Sequence, residues 1–131
     1  MLIPRETDYA LRILRSLLDG ERKAVGDISR EELIPQQFAY KIIKKLSRAG
    51  LVRIARGVDG GCELTADLEQ VSLYDLMAVM EDRCDVNACM DPAYHCPRRE
   101  MGGCKVHGKL LELQKKLDDE LRALNLMTLL G

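Results

Sequence analysis

Ala10, Ile13, Leu14, Leu17 and Leu18 recur at helical spacing, with Arg12, Arg15 and Asp19 on the other side. A stripe of this period predicts a helix over residues 5–19 with one buried face. Thr7 or Asp8 is placed to cap its start, and Gly20 to end it. A short helix is predicted over 25–33, with Ile28 and Leu33 as core candidates. Ile34-Pro35 stops and restarts the chain, because proline suits the first position of a helix. Phe38, Ile42 and Leu46 then form an apolar stripe at successive turns. Gln37, Lys41, Lys44 and Arg48 form a second, basic stripe, with Lys45 beside it, and Ala49-Gly50 closes the helix. Leu51–Arg56 reads as a strand holding Val52 and Ile54, Gly57–Gly61 as a turn, and Cys62–Thr65 as the return strand with Leu64 inward.

After a connector at Asp67–Val71, Ser72-x-x-Asp75 opens a fourth helix with Leu73, Leu76, Met77 and Met80 on one face. The last long segment, about Gly103–Leu124, carries Leu110, Leu113, Leu117, Leu121 and Leu124 at steps of three and four residues. So narrow a seam suits a partner helix and predicts a symmetric dimer; packing back on helix one is the alternative. Between these helices lies Cys84–His107, which has no helical or strand period.

The predicted fold is mostly α with a small β-hairpin: a winged helix-turn-helix over residues 1–66, then dimerisation helices over 67–131 with a cysteine-rich loop at 84–107. Two helices joined by a tight turn, the second amphipathic with a basic outer face, are what a helix-turn-helix reader of double-stranded DNA requires. The alternative is an ordinary solvated face. The hairpin that follows makes a wing, with Arg53 and Arg56 on or beside it, and an arginine at a glycine-rich tip suits the minor groove. A symmetric dimer would match a palindromic site.

One Phe and no Trp leave the core to aliphatic side chains and Met. Net charge is −1, but the first 66 residues carry a positive balance and the rest a negative one, as a basic binding half and an acidic partner half would. The start, MLIPRETDY, lacks the apolar core of a signal peptide, and no run approaches a membrane span. A cytoplasmic protein with no membrane partner is therefore expected. In that reducing compartment, five cysteines favour metal or redox roles over disulfides.

The loop reads C-x4-C-x6-C-x7-C-x2-H. It lacks the close pairs with which a zinc finger grips one ion, and the wide intervals suit an iron–sulfur cluster. Structural zinc and free or redox-active thiols remain as alternatives. No glycine-rich nucleotide loop, C-x-x-C or nucleophile–base pair is present, so an enzyme is not expected.

Nearly the whole chain resembles the bacterial winged-helix regulators typified by the iron–sulfur assembly repressor IscR and the nitric-oxide sensor NsrR. The resemblance rests on Thr7–Arg12, Phe38–Leu46, Ala49–Val52, Arg56-Gly57 with Gly60-Gly61, Leu73–Leu76, and Cys96-Pro97-Arg98 before Gly103-Cys104. It implies a homodimeric transcription regulator with a sensing cluster on Cys89, Cys96 and Cys104. His107 corresponds to the ligand of a two-iron cluster, and Asp8 to the position that reaches across the dimer to a four-iron cluster. Both candidates are present, so 2Fe-2S and 4Fe-4S stay open, with His95 and Cys84 as further fourth ligands. The resemblance and the basic stripe together point Gln36, Gln37 and Tyr40 at base edges, Lys41, Lys44 and Lys45 at phosphates, and Arg56 at the minor groove. A zinc-stabilised or cluster-free winged-helix regulator is the alternative function. Longer cysteine intervals, Cys62 in the wing and the extra Cys84 depart from the family pattern; Cys62 reads as a small inward apolar thiol.

Overall fold

Proline opens the first helix, α1 (Arg5–Ser16): Pro4 is its N-cap, with no side chain capping it. The computed structural model describes residues 2–131. The expected cap at Thr7 or Asp8 is not formed, because both already lie inside the helix. Thr7 is fully buried and donates its hydroxyl to Asp82 Oδ2 at 2.6 Å. Asp8 pairs with Arg12 one turn on, at 3.0 Å. Ala10, Ile13, Leu14 and Leu17 are buried as their spacing requires.

The second helix, α2 (Val25–Glu31), stops before Leu33. Leu33 adopts a φ of 54° and is 80% exposed, so its expected core role fails. The left-handed turn swings its side chain out and brings Ile34 into the core instead, closed by Ile34 N–H to Ser29 O at 2.9 Å. The third helix, α3 (Gln36–Arg48), buries Ala39, Ile42, Ile43 and Leu46. That face is turned slightly from the expected stripe, and Phe38 stays partly exposed near the Tyr9 ring.

Strands β1 (Val52–Ala55) and β2 (Gly61–Leu64) pair antiparallel in the register Val52↔Leu64 and Ile54↔Cys62. Cys62 is fully buried, as expected of a small thiol facing inward. Its backbone also exchanges two hydrogen bonds with Lys23, at 2.8 and 2.9 Å, which ties the approach to α2 onto the hairpin.

Helix α4 (Leu73–Val79) begins with the capping box read from the sequence: Ser72 and Asp75 exchange side-chain-to-backbone hydrogen bonds, each 3.0 Å. The cysteine segment contains two helical turns where no period was read, a 3₁₀ turn at Ala88–Met90 and α5 (Pro97–Glu100). Helix α6 (Lys105–Ala123) follows, then an unanticipated α7 (Leu126–Leu130) capped by Asn125. Backbone bonds from Leu73 N–H to Leu124 O and from Leu126 N–H to Val71 O, both 2.8 Å, fold this end back.

One apolar core runs through both halves of the chain, from Ile13, Leu14 and Leu46 to Met80, Leu121 and Leu126. The leucine seam of α6 is therefore divided. Leu121 is buried, and Leu117 and Leu124 pack on the core of their own subunit. Leu113 remains 54% exposed, on the same helix face as exposed Val106 two turns earlier. Among the described residues no helix is long and apolar enough to cross a membrane.

Candidate nucleic-acid interface and thiol loop

The outer face of α3 and the hairpin enclose an open concavity of about 750 Å³. Tyr40, Lys41 and Lys44 line it from the helix, and Arg56, Gly57 and Val58 from the hairpin tip. Gln36 and Gln37 are exposed on the first turn of α3. Helical spacing places 40, 41 and 44 together, and the glycine turn carries Arg56 to the facing wall. Among the described residues, Lys44 and Arg56 have no carboxylate within ion-pair distance, so their charge is available to an external anion. Arg53 is engaged within the hairpin: its Nε donates to Glu63 Oε1 at 2.9 Å. Arg53 and then Arg22 hold the Glu63 carboxyl below the usual range.

The other two lysines of α3 have partners within the protein. Lys41 Nζ donates to Glu6 Oε1 at 2.7 Å while still lining the concavity. Lys45 turns inward; its Nζ donates to Glu6 Oε2 at 2.9 Å and to the Met80 carbonyl at 3.0 Å. These hydrogen bonds, Lys41's first, hold the Glu6 carboxyl below its ordinary value, and Glu6 in turn pushes the Lys45 ammonium up.

The thiols occupy successive turns of the loop. Cys89 is buried in the 3₁₀ turn, with Asn87 Nδ2 3.5 Å from its sulfur. Cys96 and Cys104 are half-buried at the N-cap positions of α5 and α6. His107 follows in the first turn of α6, and its Nδ1 is buried with no hydrogen-bond partner. His95 is exposed and faces Glu100 at 3.2 Å. The loop buries Cys84, Cys89 and Met90, and guanidinium and amide groups hold its backbone. Arg99 donates to the carbonyls of Cys89 and Tyr94, both at 3.1 Å, and Arg83 to that of Met90 at 3.2 Å. Gln114 of α6 donates to Cys84 O at 2.9 Å and accepts from Val86 N–H at 2.8 Å.

Thiolates with one imidazole are a donor set suited to a cluster, and an unpaired buried ring nitrogen suits a ligand. Yet among the described residues no three His, Cys, Asp or Glu side chains stand close enough together to hold a metal ion. Cys84 sits apart, lining a cavity of about 310 Å³ between α4 and α6 with Met90, Gln114 and Leu121. Burial, then Asp118 and Asp85, pushes its thiol up. Burial alone pushes the Cys62 thiol up to about 11.

Residues 3–131 match the family model described as Rrf2, iron-dependent transcriptional regulator. The chain belongs to the Rrf2 family. This Rrf2 protein is 32% identical over 100 residues to protein aau3 of Rhizobium meliloti (strain 1021), a match covering 74% of this chain and 65% of that relative's length. Among solved structures it is similar to the oxidised form of Staphylococcus aureus CymR, with TM-score 0.75, 20% identity, and 100% and 97% of the two chains covered. It is also similar to IscR of T. potens, with TM-score 0.70, 15% identity, and 98% and 85% covered. At these identities the two structures establish the shared winged-helix fold. The family establishes a transcription regulator that acts on DNA.

Sequence reasoning missed Glu6, Asp82, Arg99 and Gln114. Glu6 reads locally as an acid in the first turn of a helix, where the dipole favours it. Its real partners lie 35 and 39 residues away, and no local pattern marks them. Arg99 and Gln114 bond to backbone carbonyls and an amide, groups that nearly every residue carries and that leave no mark in the sequence.

Proposed function

We propose that this Rrf2 protein is a homodimeric regulator whose affinity for a palindromic promoter site is set by an iron–sulfur cluster in the loop between α4 and α6. The observation that carries this reading is His107 Nδ1, buried and unpaired one turn after Cys104. A buried polar atom without a partner costs about 1–3 kcal/mol, and a ligand role would remove that cost. Cys89, Cys96 and Cys104 supply the thiolates and His107 the fourth ligand. Asp8, the other candidate, already faces Arg12 at 3.0 Å. Such a cluster, when bound, would supply redox-sensitive iron–thiolate bonds to this loop.

The chain's own residues do the rest. Arg99 and Arg83 hold the loop backbone, and a change in loop shape must displace them. Gln114 ties the start of the loop to α6. Exposed Val106 and Leu113 leave an apolar strip on the N-terminal half of α6 that a second copy of the helix would cover. On the DNA side, Gln36, Gln37 and Tyr40 face base edges, Lys41 and Lys44 the phosphates, and Arg56 the minor groove. Ligands that bind the two loop states unequally shift the dimer geometry and hence DNA affinity.

The test is to purify the protein without oxygen and assay iron, sulfide and zinc beside the visible spectrum. DNA affinity is then compared before and after the cluster is removed. Matching iron and sulfide, with affinity that changes on removal, support the reading. Colourless protein with stoichiometric zinc and no reconstitution would leave the zinc-stabilised regulator. Replacing His107 by Ala should alter the spectrum more than replacing Asp8; the reverse order would move the fourth ligand to Asp8.

A further inference from the structure

We infer that Lys45, although on the DNA-reading helix, is not a DNA contact but the tie that couples the root of the thiol loop to that helix. The inference rests on the sensing reading above for its consequence, though not for its geometry. Lys45 is the one member of the expected basic set whose side chain is largely covered, 18% exposed against 55% for Lys41. Its ammonium reaches two elements at once. It donates to Glu6 on α1 and to the carbonyl of Met80, the residue that ends α4. The last carbonyls of a helix lack intrahelical partners, and a cation there also meets the negative end of the dipole. A side chain of α3 thus closes the C-terminal end of α4.

What leaves that end is the loop. Glu81 turns with a φ of 60°, Asp82 accepts the buried Thr7 hydroxyl at 2.6 Å, and Cys84 follows two residues later. Glu6 and Thr7, adjacent on α1, therefore hold opposite sides of one junction: Glu6 grips the lysines of α3, and Thr7 grips the residue after the turn. A rearrangement that pulls residues 80–84 must act on Lys45 or break its bond to Met80. The same bond keeps the ammonium out of reach of a phosphate in the concavity that Lys41 and Lys44 line.

The experiment compares Lys45→Met with Lys44→Met, each measured on palindromic promoter DNA across a salt series. Each is prepared anaerobically with iron and sulfide bound, and again after the cluster is stripped by a chelator. Losing a phosphate contact lowers the salt slope by about one per subunit and weakens binding in both states alike. Lys44→Met should do this. Lys45→Met should leave the salt slope at the wild-type value and reduce the affinity ratio between the two states to about one, and Lys45→Arg, which keeps a cation at the junction, should restore most of the ratio. A salt slope that falls for Lys45→Met as it does for Lys44→Met overturns the inference. So does a wild-type affinity ratio in Lys45→Met. Should wild-type protein bind equally with and without the cluster, the sensing reading fails and the coupling fails with it. The salt slope still decides separately whether Lys45 faces DNA. A thermal melt of each variant identifies loss of folding, and the Lys45→Arg protein then carries the comparison.

Discussion

Replacing Gly61 by alanine should be among the most damaging single-methyl additions in this protein. Gly61 opens β2 with a φ of 148°, a conformation that residues with a Cβ rarely adopt. A Cβ there would lie 2.3 Å from the carbonyl oxygen of Lys23 and 2.6 Å from its carbon. The obstacle is backbone, so no rotamer relieves it. The Lys23 peptide can retreat only by giving up its exchange with Cys62, at 2.8 and 2.9 Å. Two lost backbone hydrogen bonds cost about 1–3 kcal/mol together, and the positive φ adds about 1–2 kcal/mol for alanine. A total of about 3 kcal/mol is a large share of the roughly 5–15 kcal/mol that holds a domain folded. Gly20→Ala is the matched control: its φ is 79°, with nothing within 4 Å of an added Cβ. It should lose only the conformational part, about 1 kcal/mol. Urea unfolding monitored by circular dichroism gives both values, and the melting temperature should fall by about 4 °C per kcal/mol for a chain of this length. Equal losses for the two variants, or a Gly61→Ala loss under about 1 kcal/mol, would refute the claim that backbone approach dictates glycine at this position.

The Cys62 thiol, raised to about 11 by burial, should resist alkylation in the folded protein at pH 8 and react only after unfolding, as read by mass spectrometry. The sign of its pH effect follows from the same shift. The folded state keeps the proton to higher pH than the unfolded thiol does, so stability is intact below about pH 8.5 and falls by about 1.4 kcal/mol per pH unit as pH rises toward the folded value. Cys84 acts in the same direction, and Cys62→Ala should flatten most of the slope in denaturation curves between pH 8 and 11. Ser72→Ala removes the capping box of α4 and should lower stability by about 1 kcal/mol in urea, whereas Thr65→Ala, at an exposed hydroxyl, should change it far less. Arg56→Ala should weaken promoter binding while leaving the melting temperature unchanged, because Arg56 is exposed and makes no ion pair among the described residues; a matching loss of stability would place it in the scaffold instead.

Much of the architecture was legible because local rules decide it. The apolar positions of α1, the Ser72–Asp75 box and the glycine-rich turn before Cys62 each follow from spacing within a few residues. The cluster of Tyr40, Lys41 and Lys44 was legible for the same reason, since a helix fixes which residues share a face. Leu33 failed because one positive φ reverses where a side chain points, and the choice between Leu33 and Ile34 as core residue is made by packing. The leucine seam of α6 could be counted but not assigned. Whether Leu117 and Leu121 meet a partner or their own subunit depends on α6 packing against α4, with the chain after α6 tied back to residues 71–73 through backbone bonds that carry no side-chain signal. Lys45 shows the division most clearly. In the sequence it is one more cation, beside the basic stripe of α3 and expected at phosphates as Lys44 is. Only the tertiary structure sets it against Glu6 and the end of α4, because the Coulomb energy of a pair depends on distance in space and not on separation along the chain.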